Sequence, residues 1–175
     1  KVINSAKVGG EGGFDYVTAD AVGRRLYVPR GNPANRVAVY DLDTLKPAGE
    51  ISGVTGVHGA AIDPKSHHGF SSSKPVVMWD TQTLATIKTI AVEGNPDGIL
   101  FEPLTESVWV LSHAAPHVTV LNAIDGSIVG TIDLGGSHFG TLNTGPVKSI
   151  VIGGDMHGGA GFDSGSINSG TIGSF

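Results

Sequence analysis

A unit of about 40 residues recurs three times along this chain, and a period of that length constrains the fold more than any local propensity. Val37-Ala38-Val39-Tyr40-Asp41 with Thr44-Leu45 is followed by Val76-Val77-Met78-Trp79-Asp80 with Thr83-Leu84, and then by Val118-Thr119-Val120-Leu121-Asn122. Asp41 and Asp80 are 39 residues apart, Asp80 and Asn122 are 42 apart, and Ile51, Ile90 and Ile132 keep the same offsets. Tyr27, Phe70 and Trp109 stand 43 and 39 apart. Each unit reads as four short strands bounded by turn residues. In the third, these are Gly98 to Phe101, Val108 to Leu111, His117 to Leu121 and Ser127 to Leu134. Asp63-Pro64 and Glu102-Pro103 end first strands, because proline cannot donate to a ladder, and Asp125-Gly126 supplies the last hairpin turn. Four antiparallel strands repeated at this interval are the pattern of a β-propeller blade.

Composition agrees with an all-β chain. Of the 175 residues, 27 are glycine and only 15% are charged, which argues against helical bundles, coiled coils and charge-driven disorder. A net charge of -5 offers no basic patch to neutralise a phosphate backbone, so nucleic acid is not expected as a partner. Without cysteine there are no disulfides, no thiolate metal sites and no cysteine nucleophile. No apolar run approaches the ~20 residues of a membrane helix. The chain begins with Lys1, not Met, so the lack of a secretory leader does not speak against export.

The blade pattern covers 1–136, with blades at about 14–52, 58–92 and 97–134. Residues 135 to 175 hold 12 glycines and only three charged side chains, Lys148, Asp155 and Asp163. Within 137–175 the apolar segments Val147-Lys148-Ser149-Ile150 and Ile172-Gly173-Ser174-Phe175 follow Gly145 and Gly170, which are 25 residues apart. That spacing fits one coil of a β-solenoid, and a flexible glycine-serine tail fits the same composition.

Gly23-Arg24-Arg25-Leu26-Tyr27-Val28, followed by Val37-Ala38-Val39-Tyr40-Asp41-Leu42-Asp43-Thr44-Leu45, resembles the YVTN-type β-propeller repeat family of bacteria. Val77-Met78-Trp79-Asp80-Thr81 and Gly94-Asn95-Pro96-Asp97-Gly98-Ile99 carry the likeness into the later units. The resemblance spans about Val2 to Gly136 and implies the fold, together with an exported, periplasmic or extracellular bacterial setting. It does not imply a chemistry, because the same fold hosts binding proteins, lactonases and quinoprotein-like enzymes. Complete members resembling it have about seven blades. The glycine-rich tail resembles solenoid repeats of large extracellular bacterial proteins.

In a propeller, the start of each blade's first strand and the end of its second meet at the mouth of the central channel. The register places Asp15, His58 and Asp97 at first-strand starts, and Arg30, Ser73 and Ser112-His113 at second-strand ends. Asp15, Arg30, His58, Asp97 and His113 are therefore the candidate ligand-binding residues. The plainer alternative is that the two aspartates cap turns and Arg30 pairs with a neighbouring acid. His58, Asp97 and His113 offer nitrogen and oxygen ligands, but they come from different blades without close spacing, and no metal or cofactor is assigned. His67-His68 reads as a solvated turn on the opposite face, and Trp79 and Trp109 read as blade core.

The catalytic signatures are missing: there is no Gly-x-Ser-x-Gly elbow, and Gly9-Gly10-Glu11-Gly12-Gly13 has neither phosphate-loop nor dinucleotide spacing. Asp41-x-Asp43 lacks the glycine and final glutamate of a calcium loop. The expectation is a binding or interaction scaffold for a small molecule or a protein. A lactonase-like or quinoprotein-like enzyme fragment and a structural cell-surface repeat are the alternatives. Three blades do not close a ring, so a longer parent chain or self-association is expected.

Overall fold

The computed structural model describes residues 1–2, 4–133, 142–144 and 167–169. Three four-stranded antiparallel sheets follow one another along the chain. The first blade is β1 (Thr18–Asp20), β2 (Arg25–Arg30), β3 (Arg36–Asp41) and β4 (Pro47–Ser52). The second is β5 (Ala60–Asp63), β6 (His68–Ser71), β7 (Val76–Asp80) and β8 (Thr86–Ile90). The third is β9 (Pro96–Glu102), β10 (Ser107–Ser112), β11 (Val118–Asn122) and β12 (Ile128–Ile132). No helix occurs among the described residues. The innermost strands lie side by side, with the Thr18 hydroxyl donating to the Ala60 carbonyl at 2.7 Å.

The same local chemistry shapes the turns of each blade. Between the third and fourth strands, the Asp41 carboxylate accepts from the Thr44 N–H at 2.8 Å, and Asp80 accepts from Thr83 at 2.7 Å. Asn122 takes this role in the third blade, accepting from the Ile124 N–H at 2.8 Å. Such side-chain bonds to the following backbone are what favour Asp and Asn in turns. At the first hairpin, Asp20, Asp63 and Glu102 accept from backbone N–H groups two residues ahead. A bulge recurs at Val39/Tyr40, Met78/Trp79 and Val120/Leu121, twisting each outer strand alike.

The core lies between the blades. Tyr27, Val37, Val39 and Ile51 of the first blade pack on Ile62, Val77 and Trp79 of the second, with the Tyr27 and Trp79 rings 5.9 Å apart. Ala61, Phe70, Met78 and Ile90 of the second pack on Val108, Val110 and Leu121 of the third. Each Val, Leu, Ile, Met or Phe side chain sealed in this way contributes about 1.5–3 kcal/mol. Polar clamps stand beside both interfaces. The Arg25 guanidinium donates to the Thr81 and Gln82 carbonyls, and the equivalently placed His68 holds Nδ1 3.0 Å from the Ala123 carbonyl oxygen.

Two details depart from the sequence reading. His68 is half-buried against the third blade, so only His67 of that pair is exposed at the turn. Trp79 is sealed in the core, but Trp109 is half-buried, because the face it sits on is not covered by a further described blade. In the glycine-rich segment, β13 (Leu142–Thr144) pairs in parallel with β14 (Ile167–Ser169), and Leu142 opposite Ile167 gives an offset of 25 residues. The rest of the expected coil lies outside the described residues.

Candidate functional site

Asp15 precedes β1, His58 precedes β5 and Asp97 is the second residue of β9, so the start of each innermost strand delivers one polar group to the same end of the sheets. Backbone bonds fix these starts relative to one another. The Tyr16 N–H donates to the His58 carbonyl at 3.0 Å, which joins the entry of the first blade to that of the second. The Gly59 N–H donates to Ser72 Oγ at 2.7 Å, and the His113 N–H donates to the Asn95 carbonyl at 3.1 Å. Asn95 in turn donates its N–H to Ser112 Oγ at 2.6 Å. Asp97 and His113 are thereby held on adjacent strand ends of the third blade.

The side chains converge. His58 Nδ1 lies 3.2 Å from Asp15 Oδ2 and 3.6 Å from Asp97 Oδ1. His113 Nε2 lies 3.2 Å from Asp97 Oδ2. The Tyr16 hydroxyl donates to that same Asp97 oxygen at 3.4 Å. Asp97 is the least exposed of the four ionisable partners, at 22%, and His113 the most, at 71%. The charge of Asp97, and then that of Asp15, raises the Tyr16 phenol above its ordinary pKa, so the patch presents a negative field to a proton that would leave.

Arg30 spends its guanidinium on the backbone. Its guanidinium is buried, donates to the carbonyls of Val8, Gly9 and Gly12, and lies 5.8 Å from the centre of the Phe14 ring. It fastens the N-terminal segment instead of pairing with an acid. Ser73 is also buried, with its hydroxyl 2.6 Å from Ser71 Oγ and donating to the Pro75 carbonyl. Ser112 spends its hydroxyl on the Ala114 carbonyl at 2.6 Å. Sequence reasoning passed over Tyr16, although a signal was available: the equivalent positions in the other blades are Gly59 and Gly98, so only the first blade carries a long side chain there.

Asp15, His58 and Asp97 each offer a ligand atom, and the three atoms lie within 4.8 Å of one another. Distance along the chain argued against a metal, but the blades bring these atoms together in space. A groove of about 350 Å³ runs along the innermost strands from Thr18, Ala60 and Ile99 to Asp20, Val22 and Pro64 at their far ends, and none of the mouth residues line it. A cavity of about 430 Å³, between Asp20, Arg25, His67 and Thr81, shares Asp20, Val22 and Pro64 with that groove at the far end of the strands.

Solved structures similar to this one include WD40-repeat and β-propeller proteins. Kuenenia stuttgartiensis hydrazine synthase matches with a TM-score of 0.63 and 19% identity over 75% of this chain and 38% of that one. The WD40 repeats of RRP9 match with a TM-score of 0.61 and 16% identity over 71% of this chain and 40% of that one. The β-propeller domain of Myceliophteria thermophila Cps50 (Swd1) matches with a TM-score of 0.56 and 15% identity, over 73% and 40%. The fold is that of a β-propeller. At these identities the likeness concerns the fold alone, and the chain spans about 40% of the length of each structure. No protein-family model matches the chain, and no curated protein matches its sequence.

Proposed function

We propose that this chain is a non-catalytic binding scaffold, a YVTN-type propeller segment of an exported bacterial protein, whose ligand seats at the mouth lined by Asp15, His58, Asp97 and His113. The observation that carries this reading is the meeting of polar side chains from three separate blades at one end of the innermost strands. A propeller face assembled from several blades is a concave, preformed surface of the kind that takes ligands. The hydroxyls of Ser71, Ser73 and Ser112 favour binding over hydrolysis. They are engaged with one another or with backbone groups, not with an imidazole base. The exported setting rests on the resemblance of the repeats, and the small-molecule or protein ligand rests on the net charge of -5.

The test is a ligand screen read by amide resonances at Tyr16, His58 and His113, run beside turnover assays on lactones. A ligand that shifts these resonances in the wild type and not in Asp97→Ala/His113→Ala, with both proteins melting alike and no turnover, supports the scaffold. Lactone turnover lost in the same variant replaces it with the enzyme reading.

A further inference from the structure

We infer that Asp15, His58 and Asp97 form a binding site for a divalent transition metal of the zinc class, with His113 and Tyr16 orienting the Asp97 carboxylate. The inference rests on the mouth being a binding surface and names what that surface holds. Zinc bonds to imidazole nitrogen and carboxylate oxygen are about 2.0–2.2 Å long, so tetrahedral ligand atoms stand about 3.3–3.6 Å apart. Asp15 Oδ2 and Asp97 Oδ1 lie 3.2 and 3.6 Å from His58 Nδ1, close to that separation, and one ligand atom from each of the three residues falls within 4.8 Å of the others.

The two oxygens of Asp97 divide their work. Oδ2 takes the Tyr16 hydroxyl at 3.4 Å and faces His113 Nε2 at 3.2 Å, which leaves Oδ1 turned toward His58. Outer partners of this kind fix the orientation of a metal-binding carboxylate. Two carboxylates balance a divalent charge, and an imidazole nitrogen selects zinc-like ions over calcium or magnesium, which prefer all-oxygen sets. The neighbouring cations are engaged elsewhere, Arg30 on the Val8, Gly9 and Gly12 carbonyls and Lys74 on the Gly94 carbonyl. Both aspartates and His58 are partly exposed, so a further coordination position is open to water or to an anionic ligand.

The experiment is calorimetric titration of the chelator-treated full chain with zinc chloride near neutral pH, repeated with calcium chloride. One zinc per chain is expected, with no comparable heat from calcium. His58→Gln and Asp97→Asn each weaken zinc binding by at least tenfold, and His113→Gln weakens it by about tenfold through loss of the outer partner. His67→Gln, at the other end of the strands, changes nothing. Metal-free melting curves confirm that the variants fold. If Asp97→Asn does not fold, Asp15→Asn, at a more exposed position, carries the same expectation. Absence of one-to-one zinc binding by the wild type, or wild-type binding by the folded His58 and aspartate variants, overturns the inference. If zinc leaves the Tyr16, His58 and His113 resonances unmoved while an organic ligand moves them, the metal falls and the scaffold stands. If nothing moves them, both fall.

Discussion

Trp109 occupies in the third blade the register that Phe70 occupies in the second, yet Phe70 is fully sealed and Trp109 is half exposed. Phe70 is covered by Val108, Val110 and Leu121 of the next blade. The face of Trp109 also carries Leu100 and Leu111, exposed at 44% and 38%, where a following blade would seat. Among the described residues, no blade closes this third interface, and a blade from a longer parent chain or from a second copy is the expected occupant.

The first prediction compares these two aromatics. Phe70→Ala costs about 3–5 kcal/mol of stability, as expected for truncating a sealed aromatic. Trp109→Lys costs less than half of that, and it lowers the concentration-dependent association of the isolated chain in sedimentation velocity. A chain that sediments as a compact, cooperatively melting monomer at every concentration, with Trp109→Lys indistinguishable from it, refutes the seating of a blade on this face.

A second prediction concerns Gly69, which sits beneath the Trp79 ring. A Cβ built at Gly69 would lie 2.2 Å from Trp79 Cε2 and 2.4 Å from Cζ2. Trp79 has no room to retreat, since it is fully buried with the Tyr27 ring 5.9 Å away. Gly69→Ala should therefore destabilise the protein by about 1–3 kcal/mol, the usual cost of overpacking, and alter the near-ultraviolet tryptophan signal. An unchanged melt and spectrum would show that the ring is not pinned there.

The blades were legible because the repeat offsets alone align Tyr27, Phe70 and Trp109, and the turn signals at Asp63-Pro64, Glu102-Pro103 and Asp125-Gly126 bound the strands. The same register put Asp15, His58 and Asp97 at equivalent strand starts, which the structure places side by side. Arg30 shared the register argument, but its guanidinium is taken up by backbone carbonyls. Its partners Val8, Gly9 and Gly12 belong to a segment with no strand periodicity, so nothing in the pattern announced that this segment would fold back over the second strand's end. Adjacency of metal-binding atoms was likewise hidden, because blades separated by about 40 residues bring together groups that no local motif connects.

The third prediction tests how size is matched across the interfaces. Leu84 and Gly126 hold equivalent left-handed turn positions, with φ of 64° and 67°, so that backbone tolerates a leucine. A Cβ on Gly49, the strand residue facing Leu84 from the first blade, would lie 2.6 Å from Leu84 Cδ1. The residue equivalent to Gly49 in the second blade is Lys88, and a Cβ at Gly126 would lie 2.9 Å from both Ile90 Cδ1 and Lys88 Cε and 3.0 Å from Met78 Sδ. A large residue thus faces a small one at both interfaces, with the order reversed. Gly126→Leu should cost about 1–3 kcal/mol. Adding Lys88→Gly should recover part of the loss, with a coupling of about 0.5 kcal/mol or more in a double-mutant cycle. Strict additivity would sink the matching argument.

The last prediction follows from the turn carboxylates. Asp80 is held below its ordinary pKa mainly by the Thr83 N–H, then by the Thr83 hydroxyl, and Asp41 is lowered in the same way by Thr44. Glu102 and Asp125 are also lowered, chiefly by side-chain bonds from Thr105 and Ser127. A carboxylate whose folded pKa lies below its unfolded value stabilises the fold above the unfolded pKa, about 3.9 for Asp, and loses that contribution as pH falls through the folded value. Stability should therefore decline as pH drops below about 4. Asparagine keeps the acceptor without the titration, as Asn122 does in the third blade, where Oδ1 accepts from the Ile124 and Asp125 N–H groups at 2.8 and 3.3 Å. Asp80→Asn should melt close to wild type at neutral pH and show a shallower fall in melting temperature on acidification, and Asp41→Asn/Asp80→Asn should be shallower still. Parallel acid limbs for the wild type and the double variant would show that these turn bonds do not set the pH dependence, because a lowered carboxylate must leave its mark there when its charge is removed.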